Sequence, residues 1–286
     1  MIVTTDLHLT SKPLDQYRWD FFPWLAEFVF EVDAPEVWIL GDLMDQKDGH
    51  DAQLTNRVVD TLCGFVEYTG CQLRILKGNH DYVDETTPFF RFLNHFDAIH
   101  YISEPEVVRT NVGRTLFVPH SFTPESAWRD LDFSNLDLIA CHQTFNGADA
   151  HGHKLRATIS AGHFKDLGAD CPVISGDIHQ PQTLKTVRYV GTPYPVGFGE
   201  DHEPRVLEIV PESPLKFISH PVPSIKREIR TVSDVEDAFD GLDEEDHLKV
   251  RFRLAREEFV DWNARRQEII DRAEELGVVL QSIHLL

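Results

Sequence analysis

Carboxylate, imidazole and carboxamide side chains recur along this chain, most of them directly after short apolar runs. They lie in the segments Asp6-Leu7-His8, Gly41-Asp42-Leu43-Met44-Asp45, Gly78-Asn79-His80-Asp81, Cys141-His142 and Gly176-Asp177-Ile178-His179. Oxygen and imidazole nitrogen atoms of this kind bind divalent cations. If the chain brings the segments together, they could form a dinuclear metal centre that activates water for hydrolysis.

Each segment alone has an ordinary structural explanation. Asp6 and Asp42 could cap helices, and His142 could be a hydrogen-bonded core residue. The GNHD segment could form a simple turn. All the segments occur together, however, and side chains two apart on an extended segment, as in Asp6 and His8, point the same way. The set therefore favours a shared metal site.

The elements that must position these segments alternate between strands and amphipathic helices. The sequence predicts strands at 2–5, 37–40 and 73–76, with helices at 16–32 and 54–68. This alternation indicates an α/β fold in which helices cover a sheet. The polar segments follow the strands, and α/β folds bind ligands at the carboxyl ends of strands.

Strands dominate the pattern after about residue 99. They are predicted at 100–102, 107–109, 115–118, 136–140, 173–175, 186–190 and 206–210. We expect them to form a second sheet packed against the first. The polar stretch at 145–164 is long for a connector, which predicts a functional loop.

A proline-rich stretch at 211–223 predicts a domain boundary, with domains at 1–218 and 219–286. Beyond it the pattern predicts a small βαβαβ appendage, with elements at 225–231, 235–239, 248–254, 261–276 and 278–284. Its middle strand alternates apolar residues with Lys249, Arg251 and Arg253. This basic face is an ordinary solvated face in one interpretation and a phosphate-contacting or partner-contacting stripe in the other.

Composition sets limits on function. The 286 residues, 42% of them hydrophobic, can bury a large core. The net charge of -21 has the wrong sign for a simple phosphate-backbone binder, so the substrate is small, basic charge is local, or metals and a partner supply the attraction. The cysteines lack C-x-x-C spacing and are interpreted as buried thiols. With no targeting or membrane-spanning pattern, we expect a soluble, cytoplasmic protein that binds no membrane.

The motifs D-x-H, G-D-x-x-D, G-N-H-D, a lone histidine and G-x-x-H together resemble the calcineurin-like metallophosphoesterase superfamily over residues 1–200. Residues 176–200, GDIHQPQTLKTVRYVGTPYPVGFGE, are further similar to the G-H-I-H-x-P-Q segment and its continuation in SbcD-type nucleases, which belong to double-strand-break repair complexes. The resemblance implies a four-layer αββα sandwich with a small C-terminal α+β capping domain. It also implies hydrolysis of DNA phosphodiester bonds by a two-metal mechanism.

The resemblance implies a role for each matching residue. One metal would be held by Asp6, His8, Asp42 and His179, and the second by Asp42, Asn79, His142 and Asp177. His80 would be the catalytic histidine at the leaving oxygen, and Asp45 would orient it. Asp177 stands where the family has a histidine, and its charged oxygen should favour harder ions. Manganese is the first choice for both ions, with magnesium, iron or zinc as alternatives.

Partners also follow from the resemblance. It implies a DNA substrate, an SbcC-like coiled-coil ATPase, a homodimer through N-terminal helices, and exonuclease or endonuclease activity in DNA repair, recombination or replication. One alternative is a small-molecule phosphatase or cyclic-nucleotide phosphodiesterase with the same dinuclear core, which the acidic charge favours. Another is a scaffold without activity. His151 and His153 form an alternative metal pair in the polar loop.

Overall fold

The structure, a computed structural model, describes residues 1–150 and 152–286. Its strands are β1 (Ile2–Thr4), β2 (Glu36–Ile39), β3 (Gln72–Leu76), β4 (Ile99–Ile102), β5 (Glu106–Thr110), β6 (Gly113–Val118), β7 (Leu138–His142), β8 (Asp149–Ala150), β9 (His153–Lys154), β10 (Val173–Gly176), β11 (Gln182–Leu184), β12 (Val187–Tyr189), β13 (Arg205–Val210), β14 (Lys216–Pro221), β15 (Arg227–Val232), β16 (His247–Phe252) and β17 (Val279–Leu285). Its α-helices are α1 (Tyr17–Glu31), α2 (Ala52–Thr69), α3 (Pro124–Ala127), α4 (His163–Asp166) and α5 (Trp262–Leu276). Short 3-10 helices lie at Pro13–Asp15, Phe89–His95, Glu236–Ala238 and Arg256–Asp261.

The first sheet has the strand order β14-β13-β1-β2-β3-β4. Strands β1 to β4 are parallel, whereas β13 and β14 are antiparallel to their neighbours. Helices α1 and α2 make the crossovers that parallel strands require, and they meet through Phe22 and Phe65. Helix α2 begins where the Asp51 carboxylate accepts a hydrogen bond from Leu54 N, and it ends at Gly70 in a left-handed conformation.

The second sheet has the order β11-β12-β10-β7-β6-β5 and packs face to face on the first. The apolar layer between the sheets includes Val3, Trp38, Leu207, Phe117, Ala140 and Ile174. The other face of the second sheet packs on the segments around α3 and α4, where Trp128 stacks on Phe164. These layers confirm the predicted α/β sandwich.

The structure corrects the predicted sheet membership of two strands. Strands β4 and β13 belong to the first sheet, where β4 pairs with β3 and β13 pairs with β1. Apolar alternation identifies a strand and its buried face. It does not identify the neighbouring strand, because that depends on the path of the connecting segments between the two sheets. The predicted loop at 145–164 also contributes to the core, because Phe145, Ile159 and Phe164 are buried there.

The cysteines are free thiols in the described residues, but their burial differs from the prediction. Cys71 and Cys141 are buried, whereas Cys63 and Cys171 are only half-buried. No helix in the part of the chain that the structure describes is both long enough and apolar enough to cross a bilayer.

The described chain divides into two compact units. The first comprises 1–193 and 202–222, and the second comprises 194–201 and 223–286. In the second unit, the parallel strands lie in the order β15-β16-β17, and α5 packs on them through Ile269 and Ala273. The domain boundary predicted at residue 218 stays a prediction.

Candidate metal centre

The predicted site residues follow the carboxyl ends of strands from both large sheets. In the first sheet, β1 is followed by Asp6 and His8, β2 by Asp42, and β3 by Asn79 and His80. In the second sheet, β7 ends at His142, and β10 is followed by Asp177 and His179. The structure brings all of these residues together within the first unit. Strand ends of two stacked sheets therefore supply one cluster.

The backbone at this cluster is strained in a consistent way. Asp6, His8, Asp42 and Asp177 have φ values of 53°, 45°, 54° and 77°. Non-glycine residues rarely adopt this conformation, which costs about 1–3 kcal/mol each and persists only when the surroundings enforce it. Here Asp6 N donates to the Gly41 carbonyl and His8 N donates to the Asp42 carbonyl, both at 3.0 Å. These bonds between loops fix the turns that aim the side chains.

Two glycines permit the close approach of these loops. A methyl group at Gly78 would overlap the Asp42 carboxylate, and one at Gly176 would overlap the Thr5 hydroxyl. Glycine is therefore required at these strand ends for a steric reason, because any side chain would push the carboxylate-bearing turns apart.

The first group of donor atoms surrounds His142. Its Nε2 lies 3.4 Å from Asp42 Oδ1, 3.7 Å from Asp177 Oδ1 and 3.9 Å from Asp6 Oδ1. The Asn79 carboxamide oxygen lies 2.9 Å from the same nitrogen. His142, Asp6 and Asp42 are at most 2% exposed, so these donors face one another rather than water.

The second group surrounds His8. Ligand atoms of Asp6, His8 and His179 lie within 4.8 Å of one another, as do those of His8, Asp42 and His80. His8 Nε2 lies 3.3 Å from His179 Nε2 and 3.6 Å from Asp42 Oδ2. Asp42 therefore directs one carboxylate oxygen to each group, which is the arrangement of a bridging ligand.

The donor atoms fit divalent cations. Among the described residues, buried Asp6 Oδ1 accepts no hydrogen bond, and carboxylate oxygens of Asp6, Asp42 and Asp177 all lie within 4 Å of His142 Nε2. Oxygens that face one another without a donor between them repel, and a cation removes that repulsion. Carboxylate, carboxamide and imidazole donors together suit manganese, magnesium, iron or zinc.

Burial and mutual charge shift the ionisation of the cluster. Burial raises the pKa of Asp6 to about 6 and also raises that of Asp177. Burial opposes the charged form of His142, but the Asp42 and Asp6 carboxylates raise its pKa well above the usual value. Burial lowers the pKa of His8 to about 3, so that its imidazole is neutral at pH 7 and has a lone pair for a cation.

His80 is held at two points. Its ring Nδ1 lies 2.7 Å from the Asp45 carbonyl oxygen, to which it donates, and its backbone N–H donates to Asp42 Oδ1 at 2.8 Å. The ring packs edge-on against His8, with 4.7 Å between the centroids. Nε2 is then the nitrogen available to exchange a proton.

Asp45 orients His80 differently from the expected carboxylate–histidine pair. The contact comes from the Asp45 main-chain carbonyl, while the carboxylate Oδ1 lies 3.7 Å from Arg18 Nη1 and 4.0 Å from His8 Nδ1. The buried Arg18 guanidinium attracts the carboxylate and also donates to the His8 carbonyl. The orientation of His80 therefore depends on the backbone of the GDLMD turn.

Asp177 directs its carboxylate toward the cluster. Oδ1 faces His142, while Oδ2 accepts a hydrogen bond from the Thr144 hydroxyl. The Asp177 backbone N–H donates to Asp6 Oδ2 at 3.1 Å. Both the side chain and the backbone of this residue are thus tied to the site.

Sequence reasoning assigned no role to Asp81, the last residue of GNHD. Its buried carboxylate accepts backbone hydrogen bonds from Gly78 at 2.7 Å and from Asp42 and Leu43 at 3.0 Å. It therefore joins the turn after β2 to the turn after β3. The motif contained the signal, but the pattern alone did not show that this carboxylate faces backbone donors.

Two histidines outside the predicted ligand sets, His120 and His153, have different surroundings. The ring centroid of His120 lies 6.2 Å from that of His142, and its Nδ1 lies 2.7 Å from the Tyr82 hydroxyl. Of the alternative pair, His153 is exposed on β9, and His151 lies outside the described residues.

Comparison with known proteins gives matches of two kinds. A family profile described as calcineurin-like phosphoesterase matches residues 1–181. The D subunit of nuclease SbcCD from Escherichia coli strain K12 is 23% identical over 266 residues, which cover 72% of this chain and 63% of that protein. The protein of the same name from Escherichia coli O157:H7 gives the same values. The chain thus spans 63% of the length of these curated relatives.

Proposed function

This chain belongs to the calcineurin-like phosphoesterase family and is a hydrolytic, metal-dependent enzyme, and we propose that it is a DNA nuclease of the SbcD type. The position of Asp42 between two groups of donor atoms carries the mechanistic part of the proposal. A carboxylate shared in this way is what a two-metal phosphodiesterase needs.

The proposed ligand sets are those predicted from the resemblance. One ion would be held by Asp6, His8, Asp42 and His179, and the other by Asp42, Asn79, His142 and Asp177. Bound divalent ions supply positive charge to the phosphoryl oxygens and lower the pKa of an attacking water. Manganese is our first choice, because Asp177 provides a hard oxygen where the family has an imidazole.

His80 acts on the leaving oxygen in this mechanism. The Asp45 carbonyl holds Nδ1–H, so Nε2 can carry a proton to that oxygen and stabilise its developing charge. A half-buried position lets the ring reach a substrate while its backbone remains tied to Asp42. Positioning of this kind contributes roughly 10²–10⁴-fold to a hydrolysis rate.

Similarity to SbcCD nucleases supports DNA as the substrate. The relatives are named as nucleases, and residues 176–200 carry the more specific resemblance. We propose an SbcC-like ATPase partner, because a chain of net charge -21 repels a polyanion and a basic partner surface would supply the attraction. A capping role for residues 219–286, a homodimer, a cytoplasmic location and a function in DNA repair or recombination belong to the same proposal.

The same acidic charge favours the alternative, a phosphatase or cyclic-nucleotide phosphodiesterase. One experiment separates them: the manganese-loaded protein is incubated with DNA, with p-nitrophenyl phosphate and with its bis-ester. The proposal predicts cleavage of DNA and the bis-ester. Hydrolysis of the monoester alone would assign the enzyme to the phosphatases. An Asp42→Asn variant serves as the control for contaminating nucleases, because it should lose both activities.

A further inference from the structure

The three-stranded sheet of the second unit has one face covered by α5. The other face, called the open face below, is covered at one end, where buried His247 stacks on Phe198. Leu248, Val250 and Phe252 of the central strand are fully buried on the face that packs on α5. The alternate residues Lys249 and Arg251 lie on the opposite face, where Lys249 is half-buried and Arg251 is exposed. Apolar and basic residues thus alternate along β16, so that one face of the sheet is apolar and the other carries basic side chains.

Strand register shows which neighbours share the open face. Lys249 pairs with Ile229 of β15 and Ser282 of β17, and Arg251 pairs with Thr231 and His284. Paired residues of parallel strands lie on the same side of a sheet. Among the described residues of strands β15 to β17, those on the open face are basic, neutral or imidazole side chains, and none is a carboxylate.

This composition contrasts with the rest of the chain, which has 48 acidic and 27 basic residues. Glu228 of β15 lies on the other face, where it pairs with Arg230 at 2.6 Å. No carboxylate oxygen of the described residues lies within 4.0 Å of the charged groups of Lys249, Arg251 or Arg253. Among the described residues, their charges are therefore not neutralised by an ion pair.

Phe198 fixes two cations at one end of this face. Its ring centroid lies 3.9 Å from Lys249 Nζ and 4.3 Å from Arg227 Cζ. Arg227 also donates to the Val196 carbonyl. Cation–π contacts hold a charged group in place without removing its charge. Part of the basic face is therefore pre-organised, which lowers the entropy lost on binding.

We propose that the basic face, formed by Arg227, Lys249, Arg251 and Arg253, binds the phosphodiester backbone of a nucleic-acid strand. Alternate residues of a strand are about 6.6 Å apart, so Lys249 and Arg251 of β16 present two cations to successive phosphates. Exposed Arg253 follows directly after the end of β16 and extends this row. Such contacts position a strand without reading its sequence. The choice of DNA rests on the proposed function, whereas the binding face is argued from the second unit alone.

An acidic protein segment is the rival occupant. Protein interfaces usually have an apolar core and are depleted in lysine, with buried anchors in pockets. On this face the apolar contribution of β15 is Ile229, which is 36% exposed. A cationic row with little apolar surface suits a phosphate backbone better than a folded partner.

The test compares two double variants of the full chain. K249Q/R251Q removes two charges from the basic face, and R265Q/R266Q removes two from the exposed side of α5 as the matched control. Binding of fluorescent single-stranded DNA is measured by anisotropy over a range of salt concentrations, with calcium replacing manganese to prevent cleavage.

We expect K249Q/R251Q to weaken DNA binding by about tenfold or more at low salt and to reduce the slope of log K against log salt by about 1.4, since each phosphate contact on a single strand contributes about 0.7. R265Q/R266Q should match the wild type. R253Q alone should reduce the slope by about 0.7. Equal melting temperatures of all variants would show that the losses come from binding rather than unfolding.

Hydrolysis of the bis-ester separates this proposal from the proposed function. Unchanged DNA binding by K249Q/R251Q would overturn the binding face, even if bis-ester hydrolysis establishes the phosphodiesterase. Loss of binding by this variant would support the face, even if the wild type hydrolysed no diester. Competition by poly-glutamate as strong as that by DNA of equal charge would assign the face to an acidic protein segment and overturn the proposal.

Discussion

Replacing Asp81 by asparagine tests how the two central turns are held together. The Asp81 side chain is 0% exposed, and its carboxylate accepts three backbone hydrogen bonds. Oδ2 takes those from Gly78 and Asp42, and Oδ1 takes that from Leu43. Asparagine keeps the shape of the side chain but has only one acceptor atom.

The loss of stability caused by Asp81→Asn follows from these hydrogen bonds. With its oxygen in the Oδ2 position, asparagine would keep the bonds from Gly78 and Asp42 but set its NH₂ group against Leu43 N–H. One buried donor without an acceptor costs about 1–3 kcal/mol. We therefore expect the free energy of unfolding to fall by about 1–3 kcal/mol, and manganese affinity to fall because the Asp42 turn is less restrained.

Urea unfolding of Asp81→Asn and manganese titration calorimetry measure the two effects. Asp48→Asn is the matched control, because it removes one exposed carboxylate from the chain after the same turn and should change stability by less than about 0.5 kcal/mol. If Asp81→Asn had both the unfolding free energy and the manganese affinity of Asp48→Asn, Asp81 would not be the residue that joins these turns.

Four further predictions test the site. His80→Ala should keep both metals, counted by elemental analysis, and lose about 10²–10⁴-fold in DNA hydrolysis; wild-type turnover would exclude the proposed role. Asp45→Asn retains the carbonyl that holds His80, so we expect its kcat on the bis-ester to fall by less than about tenfold, and a loss equal to that of His80→Ala would show that the carboxylate is needed. Asp177→His should shift metal preference from manganese toward zinc, measured by competition, and an unchanged preference would argue against ligation by Asp177. Removing the metals with a chelator should lower the melting temperature, because ions that bind only the folded state stabilise it by about 2.7 kcal/mol at a hundred times their Kd; a temperature unchanged by chelator would indicate that the cluster binds no ion tightly.

Local sequence signals were sufficient to predict most strands and helices, and to predict that the polar segments lie close together. Each apolar run before Asp6, Asp42 and Asn79 forms a parallel strand, and parallel strands end at a common edge. The neighbours of β4 and β13 were not predictable in the same way. Strand pairing depends on where the chain returns, which the alternation of residues does not encode.

The details of the site depend on backbone geometry that residue types do not specify. The resemblance indicated Asp45 as the partner of His80, but the left-handed turn at Asp42 presents the Asp45 carbonyl instead of its carboxylate. Asp81 was visible in the GNHD motif, yet its role appears only when the N–H groups of two turns converge on it. The site features that could not be predicted from the sequence are therefore mostly contacts made by main-chain atoms.

Asp42 also has a thermodynamic consequence. Since one carboxylate faces both donor groups, an ion bound by one group changes the charge and orientation that the other group presents. Such coupling is reciprocal, so each ion alters the affinity of its neighbour by the same factor. Stepwise loading should thus deviate from two independent isotherms. A substitution at His8 would change the affinity for an ion held by Asn79 and His142, although no hydrogen bond among the described residues joins either of them to His8.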